Sequence, residues 1–193
     1  MTFDPFNDRT ARDIRNSLST ALVGELTANS GSGVAATADR WLSTPLAATH
    51  RRYLQERTQR YRQVLEDIRA AGIRAPLLQA VALWNAGLYF ELHELLETIW
   101  PNAAEPEHTA LKGWIQAAGA YLHLQRGKPD AARGLALKAR RNLTAGAEAL
   151  AYIVNLDRLI RALEQPEPQA PRLEADEKRL AGPWPPLPGR GEP

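Results

Sequence analysis

An all-α fold is predicted by three features of this 193-residue chain. Apolar residues recur every three or four positions in nearly every segment, the period of a one-sided helix. No stretch shows the strict apolar/polar alternation of a half-buried strand. Turn signals, among them Gly33, Gly72, Gly87, Gly127 and Pro45, fall between these periodic segments. The expected architecture is an antiparallel helical bundle with an N-terminal helical extension and a proline-rich C-terminal tail.

Asn7 or Asp8 is placed to cap a first helix with Ile14, Leu18, Leu22 and Leu26 on one side. That helix stops before Asn-Ser-Gly-Ser-Gly at 29–33, which reads as a flexible turn. A short helix holding Trp41 and Leu42 precedes Pro45. A longer one starts at Leu46, with Tyr53, Leu54, Arg57, Tyr61, Val64, Leu65 and Ile68 recurring along it. Gly72 closes it, and Pro76 suits the first turn of the next. Further helices are predicted over 77–86, 89–100, 108–126, 130–143 and 147–163. Gly87 and Gly127 each precede a helix, and at positive φ each lets the chain reverse between antiparallel neighbours. Residues 1–75 therefore read as an extension packing on or beside a core at 76–164. Residues 165–193 read as a charged, proline-rich tail, mobile unless Trp184 docks on the body.

A hydrophobic content of 44% and a charged content of 24% are those of an ordinary globular protein. No apolar run approaches the roughly 20 residues that span a bilayer, so no membrane partner is expected. The first residues lack a basic stretch followed by an apolar one, so no secretory signal is expected. The absence of cysteine excludes disulfides, thiolate zinc sites and cysteine nucleophiles. These features point to the cytoplasm. The net charge of +2 is a weak reason to expect nucleic acid.

The most informative helix is 89–100. His93, Glu97 and Trp100 share a narrow arc, flanked by Tyr89, Phe90 and Leu96, while Leu92, Leu95 and Ile99 continue the apolar surface. Only Glu91, Glu94 and Thr98 are left for water. The pattern thus predicts a buried histidine and a buried carboxylate, which costs several kcal/mol unless partners satisfy both. In the helix over 108–126, Leu111, Trp114, Ile115, Ala118, Tyr121 and Leu122 form an apolar side. Lys112, Gln116, Gly119 and His123 form the other, bordered by Gly113 and Ala120. Glycine inside a helix costs about 1 kcal/mol against alanine, and close approach of another backbone is the usual return. The expectation is that the helix over 89–100 packs on this small-residue side, so that His93 and Glu97 meet Gln116 and His123 in one enclosed cluster.

Asn85-x-Gly87-x-Tyr89-Phe90-Glu91-x-His93-Glu94-x-x-Glu97-x-x-Trp100 resembles the first motif of the domain-of-unknown-function family 309. Leu111-Lys-Gly113-x-Ile115-Gln116-x-Ala118, continuing to His123 and Gly127, resembles its second. The resemblance covers roughly a third of the chain, between Leu77 and Leu143. It implies a small all-helical protein of a bacterial or archaeal kind, without an established activity. Its recurrent polar positions fall on Glu91, His93, Glu94, Glu97 and Gln116. Leu92 and Trp114 depart from it, standing where alanine and a smaller aliphatic residue are common.

Three functions compete. The leading expectation is a non-catalytic binding or scaffolding module built around His93, Glu97, Gln116 and His123, with Tyr89, Trp100 and Trp114 as apolar walls. Core packing is the ordinary role of each aromatic taken singly. The second is a metal-assisted hydrolase: His93-Glu94-x-x-Glu97 is similar to the His-Glu-x-x-His helix of zinc peptidases, with His93, Glu97 and His123 as ligands and Glu94 as base. No cofactor is expected outside that divalent metal. The third is nucleic-acid binding through Arg51, Arg52, Arg57, Arg60 and Arg62, or through Arg133, Lys138, Arg140 and Arg141. The second group lies opposite Ala131, Ala132, Leu135, Ala139 and Leu143, so a solvated helix face is its default explanation. Expected partners are a small molecule or another protein, self-association included, with nucleic acid below them. Glu105-x-x-His108 has di-iron spacing but sits in a loop beside two prolines, where the acids suit the start of the next helix.

Overall fold

The computed structural model describes residues 3–28 and 32–180, and its described residues are all-α. The turn expected at 29–33 lies mostly outside them, and so does the terminal proline-rich stretch with Trp184. The chain divides into two compact units, Met1–Gln79 and Ala80–Pro193.

The first unit packs α1 (Arg9–Ala28), α2 (Gly33–Leu42) and α3 (Ala48–Ala70) on one another. Asp8 caps α1 as its position predicts, its Oδ1 accepting the Ala11 N–H at 3.2 Å. The α1 stripe of Ile14, Leu18, Leu22 and Leu26 is buried, as is the α3 stripe of Leu54, Tyr61, Val64, Leu65 and Ile68. Glu25 and His50 are among the polar side chains shut in with them. Glu25 is buried because its Oε1 accepts the Val34 N–H at 2.6 Å, one of the N–H groups that the first turn of α2 leaves unpaired. Its Oε2 lies 3.5 Å from Arg69 Nη2. His50 Nε2 meets Asp8 Oδ2 at 2.7 Å, and Phe3 stacks on Tyr53 with centroids 3.5 Å apart.

The unit boundary falls within α4 (Pro76–Asn85). In the second unit α5 (Tyr89–Ile99) packs on α6 (Glu107–Gln125), and α6 on α7 (Pro129–Ala145). Gly87 and Gly127 take φ of 67° and 66°, and each turn is closed by a bond from the residue after the glycine back to the preceding helix. Both turns match expectation.

The helix predicted over 147–163 does not form as one piece. A 3-10 turn at Ala147–Leu150 is followed by α8 (Leu156–Ala162), and between them Tyr152 and Ile153 are buried in a short run of turns. That stretch pairs with residues 174–176: Val154 N donates to Glu174 O and Asp176 N to Tyr152 O, each at 2.8 Å. Two asparagines complete the clamp. Asn85 bonds both backbone groups of Leu173 at 2.8 Å, and Asn155 bonds Arg172 O and Glu174 N. The residues just after Gln165, expected as the start of a tail, thus hold an ordered strap, with Leu173 buried and Pro171 O accepting from Trp84 Nε1. Proline-rich sequence hid this because one β-bridge needs no alternating pattern.

Candidate functional site

α5 buries Tyr89, Glu91, Leu92, Leu95, Leu96 and Ile99. At about 100° per residue these six span roughly 160°, with Tyr89 at one edge and Glu91 at the other. His93 and Glu97 fall just past the Tyr89 edge, so His93 is half-buried and Glu97 exposed. This corrects the expectation of a His93–Glu97 pair sealed inside. The sealed carboxylate of α5 is Glu91, at 0% exposure, which the apolar pattern assigns to water. The reason is a choice of arc. Phe90 and Trp100 draw the apolar arc toward His93, yet both are half-buried, whereas Leu92, Leu95 and Ile99 face the core.

The partners expected for His93 on α6 are also differently placed. The glycine side of α6 receives α7 rather than α5. A Cβ on Gly113 would stand 2.7 Å from Leu143 N and 3.0 Å from Asn142 Cβ, and one on Gly119 would stand 3.1 Å from Leu135 Cδ1. Ala132, Ala136 and Ala139 supply a matching small-residue face on α7, which lets the two backbones come so close. Gln116 follows that packing, its Oε1 accepting from Asn142 Nδ2 at 2.9 Å. His123 stands near the end of α6 with Nδ1 buried and without a hydrogen-bond partner among the described residues. Burial, reinforced by the charges of Arg126 and Lys128, pushes its pKa below the ordinary 6.5.

What the structure does bring together is His93, Glu94 and Glu97. His93 Nδ1 lies 3.5 Å from Glu94 Oε1, and His93 Nε2 lies 3.5 Å from Glu97 Oε1. One donor atom from each residue can be chosen so that all three stand within 4.8 Å of one another. Their side chains are 33%, 34% and 49% exposed, so solvent reaches the group. The Phe90 ring lies nearly parallel to the imidazole, 6.5 Å between centroids.

Residues 77–135 match the family model for a domain of unknown function, DUF309. No curated protein and no solved structure matches the chain. The DUF309 segment runs from α4 into α7, and several of its motif residues act as frame. Asn85 holds the strap at Leu173, Gly87 turns the chain into α5, and Gly113 admits α7. Tyr89 joins Trp84 and Tyr121 in an aromatic cluster with centroids 5.1 to 5.6 Å apart. Tyr121 is wholly buried, and burial first, then Tyr89 and Glu167, pushes its phenol up to about 12. Trp114 is equally buried, so it is core rather than pocket wall. Trp100 stacks on His108 at 4.9 Å and donates to its carbonyl. Glu105 Oε2 accepts the Thr109 N–H at 3.2 Å, the helix-start role expected of it.

The basic groups are spread over helix faces. Arg51, Arg52, Arg60 and Arg62 are exposed along α3, while Arg57 lies over the Tyr53 and Tyr61 rings. On α7, Arg133 pairs with Asp130 at 2.7 Å and Arg140 with Glu164 at 3.3 Å, while Lys138 and Arg141 are exposed.

Among the described residues no helix is long and apolar enough to cross a membrane. Sequence reasoning singled out His93, Glu94 and Glu97, but it missed the burial of Glu91 and the bond of Asn142 to Gln116. The aliphatic triplet Leu92-Leu95-Ile99, taken alone, carried the signal for the first. For the second it was an asparagine on the alanine face of α7.

Proposed function

We propose that this protein is a helical binding module whose α5 edge takes a divalent cation through His93, Glu94 and Glu97. The convergence of three donor atoms within 4.8 Å on a solvent-reached helix edge carries this reading. Donors around a zinc-sized ion stand about 3.4 Å apart, given metal–ligand distances of ~2.1 Å. Closing from 4.8 Å needs roughly 1 Å of movement, which flexible, half-exposed glutamates provide. One imidazole with two carboxylates suits zinc, manganese or ferrous iron. A metal takes only one ring nitrogen, so Nε2 with Glu97 forms the primary pair and Glu94 swings across to join it. The remaining coordination positions stay open to water or to a partner's carboxylate, which makes the edge a point of attachment.

Binding is favoured over hydrolysis by the roles left to each group. The hydrolytic scheme needs His123 as third ligand and Glu94 free as base. Here Glu94 belongs to the donor set, and His123 lies outside it. The test is titration of the full chain with zinc or manganese, followed by calorimetry or, for manganese, electron paramagnetic resonance. Saturable binding near one ion per chain is expected, with His93→Ala and Glu97→Gln each weakening it by about tenfold or more. Absence of saturation by about 1 mM metal, a range of very weak affinity, or equal affinity in the variants would refute it.

A further inference from the structure

We propose that the first unit carries a second binding site, a cleft for a free α-amino acid with an apolar side chain. The cleft has a volume of about 240 Å³. Its polar lining comes from Glu25, Arg69, Arg74 and Gln79, and its apolar wall from Leu26, Leu65, Ile68 and Ile73. All of these lie within Met1–Gln79, only Gln79 falls in the DUF309 match, and none belongs to the cation edge, so the inference stands independently of that edge.

Gln79 points to a ligand. Its side chain is 4% exposed, and its Oε1 has no hydrogen-bond partner among the described residues. The amide nitrogen makes only a long bond, 3.4 Å, to Leu26 O. A buried acceptor without a donor costs about 1–3 kcal/mol, so a ligand N–H delivered there recovers a substantial stabilisation. Glu25 adds a second acceptor. Its Oε1 is committed to Val34 N, but among the described residues Oε2 has only the 3.5 Å contact with Arg69 and keeps capacity for a further donor.

The rim has the opposite character. Arg74 is exposed and Arg69 half-exposed, and with one inner carboxylate against these two guanidinium groups the lining stands at +1. A simple anion would satisfy the arginines and leave Gln79 Oε1 without a donor. A simple amine would do the reverse. A zwitterion satisfies both, with its carboxylate between Arg69 and Arg74 and its ammonium donating to Glu25 Oε2 and, once the Gln79 amide turns into the cleft, to Gln79 Oε1. Its side chain then rests on Leu26, Leu65, Ile68 and Ile73. The volume equals about eight waters at ~30 Å³ each, the scale of an amino acid rather than a peptide or nucleotide.

L-leucine is the probe, titrated into the full chain by calorimetry and by protein-observed NMR. Alongside it run N-acetyl-L-leucine, which lacks the ammonium, and 3-methylbutylamine, which lacks the carboxylate. Saturable binding of L-leucine is expected, and both analogues should bind about tenfold more weakly or worse. Arg74→Ala removes an exposed rim charge and should lower affinity about tenfold with the fold unchanged. Gln79→Leu should abolish binding while the thermal midpoint falls little, because the oxygen it deletes has no donor among the described residues and the nitrogen makes only the 3.4 Å bond to Leu26 O. The proposal is overturned if L-leucine fails to saturate by about 10 mM. Either analogue binding as tightly as L-leucine, or Arg74→Ala binding as wild type, also overturns it.

Discussion

Two glycine-to-alanine substitutions on neighbouring helices should shift stability in opposite directions. Gly113 sits inside α6 where a Cβ would stand 2.7 Å from the backbone nitrogen of Leu143. Ordinary contact is about 3.4 Å, so α7 must withdraw by roughly 0.7 Å, and a backbone atom has no rotamer through which to escape. A gap of that size forfeits a quarter to a half of each dispersion contact along Ala132, Ala136, Ala139 and Leu143. Overpacking costs about 1–3 kcal/mol, while helix propensity returns about 1 kcal/mol, giving a net loss of about 0–2 kcal/mol, centred near 1 kcal/mol, for Gly113→Ala. Gly134 is exposed in mid-α7 with nothing within 4 Å of the added Cβ. Gly134→Ala should therefore gain about 0.5–1 kcal/mol. Urea denaturation followed by circular dichroism measures the pair. With m near 2 kcal/mol/M, the two midpoints should separate by about 1 M, on opposite sides of wild type. If Gly113→Ala raises the midpoint, or moves with Gly134→Ala, then α6 and α7 do not touch through their backbones, and the packing account fails.

Two further outcomes follow from single side chains. His123 has its pKa lowered from 6.5, so its neutral form is favoured on folding; its contribution is fully present above pH 6.5 and is lost as pH falls through the lowered folded value. The difference in unfolding free energy between wild type and His123→Gln should therefore bend below pH 6.5 and stay flat above it, and a flat difference throughout would remove the burial argument. Asn85→Ala deletes both bonds to Leu173, a loss of about 1–3 kcal/mol concentrated on the strap. Hydrogen exchange at 171–176 should accelerate, and unchanged protection there would show that the clamp holds nothing.

Helix existence was legible because each stripe repeats every three or four residues over several turns. Ile14–Leu18–Leu22–Leu26 and Tyr61–Val64–Leu65–Ile68 are buried as written. Which face of α5 turns inward was less legible, since aromatic and aliphatic residues bid for different arcs and periodicity weighs them alike. Phe90 and Trp100 pointed one way, Leu92 and Ile99 the other, and an arc shifted by a few tens of degrees exchanges Glu97 for Glu91. Helix-to-helix choice was less legible still. Gly113 and Gly119 announce that some backbone comes close to α6, but not whose. The answer lay in Ala132, Ala136 and Ala139, a face that reads as ordinary helix composition until its spacing is set against the glycines. The strap at 171–176 left no periodic trace, because it is held by asparagine side chains and one bridge.

The motif residues of the DUF309 segment divide by what surrounds them. Tyr89, Gly113 and Trp114 are buried, and Asn85 and Gln116 are bonded to residues beyond position 135, namely Leu173 and Asn142. Their substitution must register as lost stability, since each removes packing or leaves a partner without its bond. His93, Glu94 and Glu97 face solvent to a third or more, and exposed ion pairs contribute little to folding. Keeping an imidazole and two carboxylates together on such an edge is therefore poorly explained by stability. A frame that extends past the matched segment, with those three side chains on its surface, is the arrangement that the proposed cation edge requires.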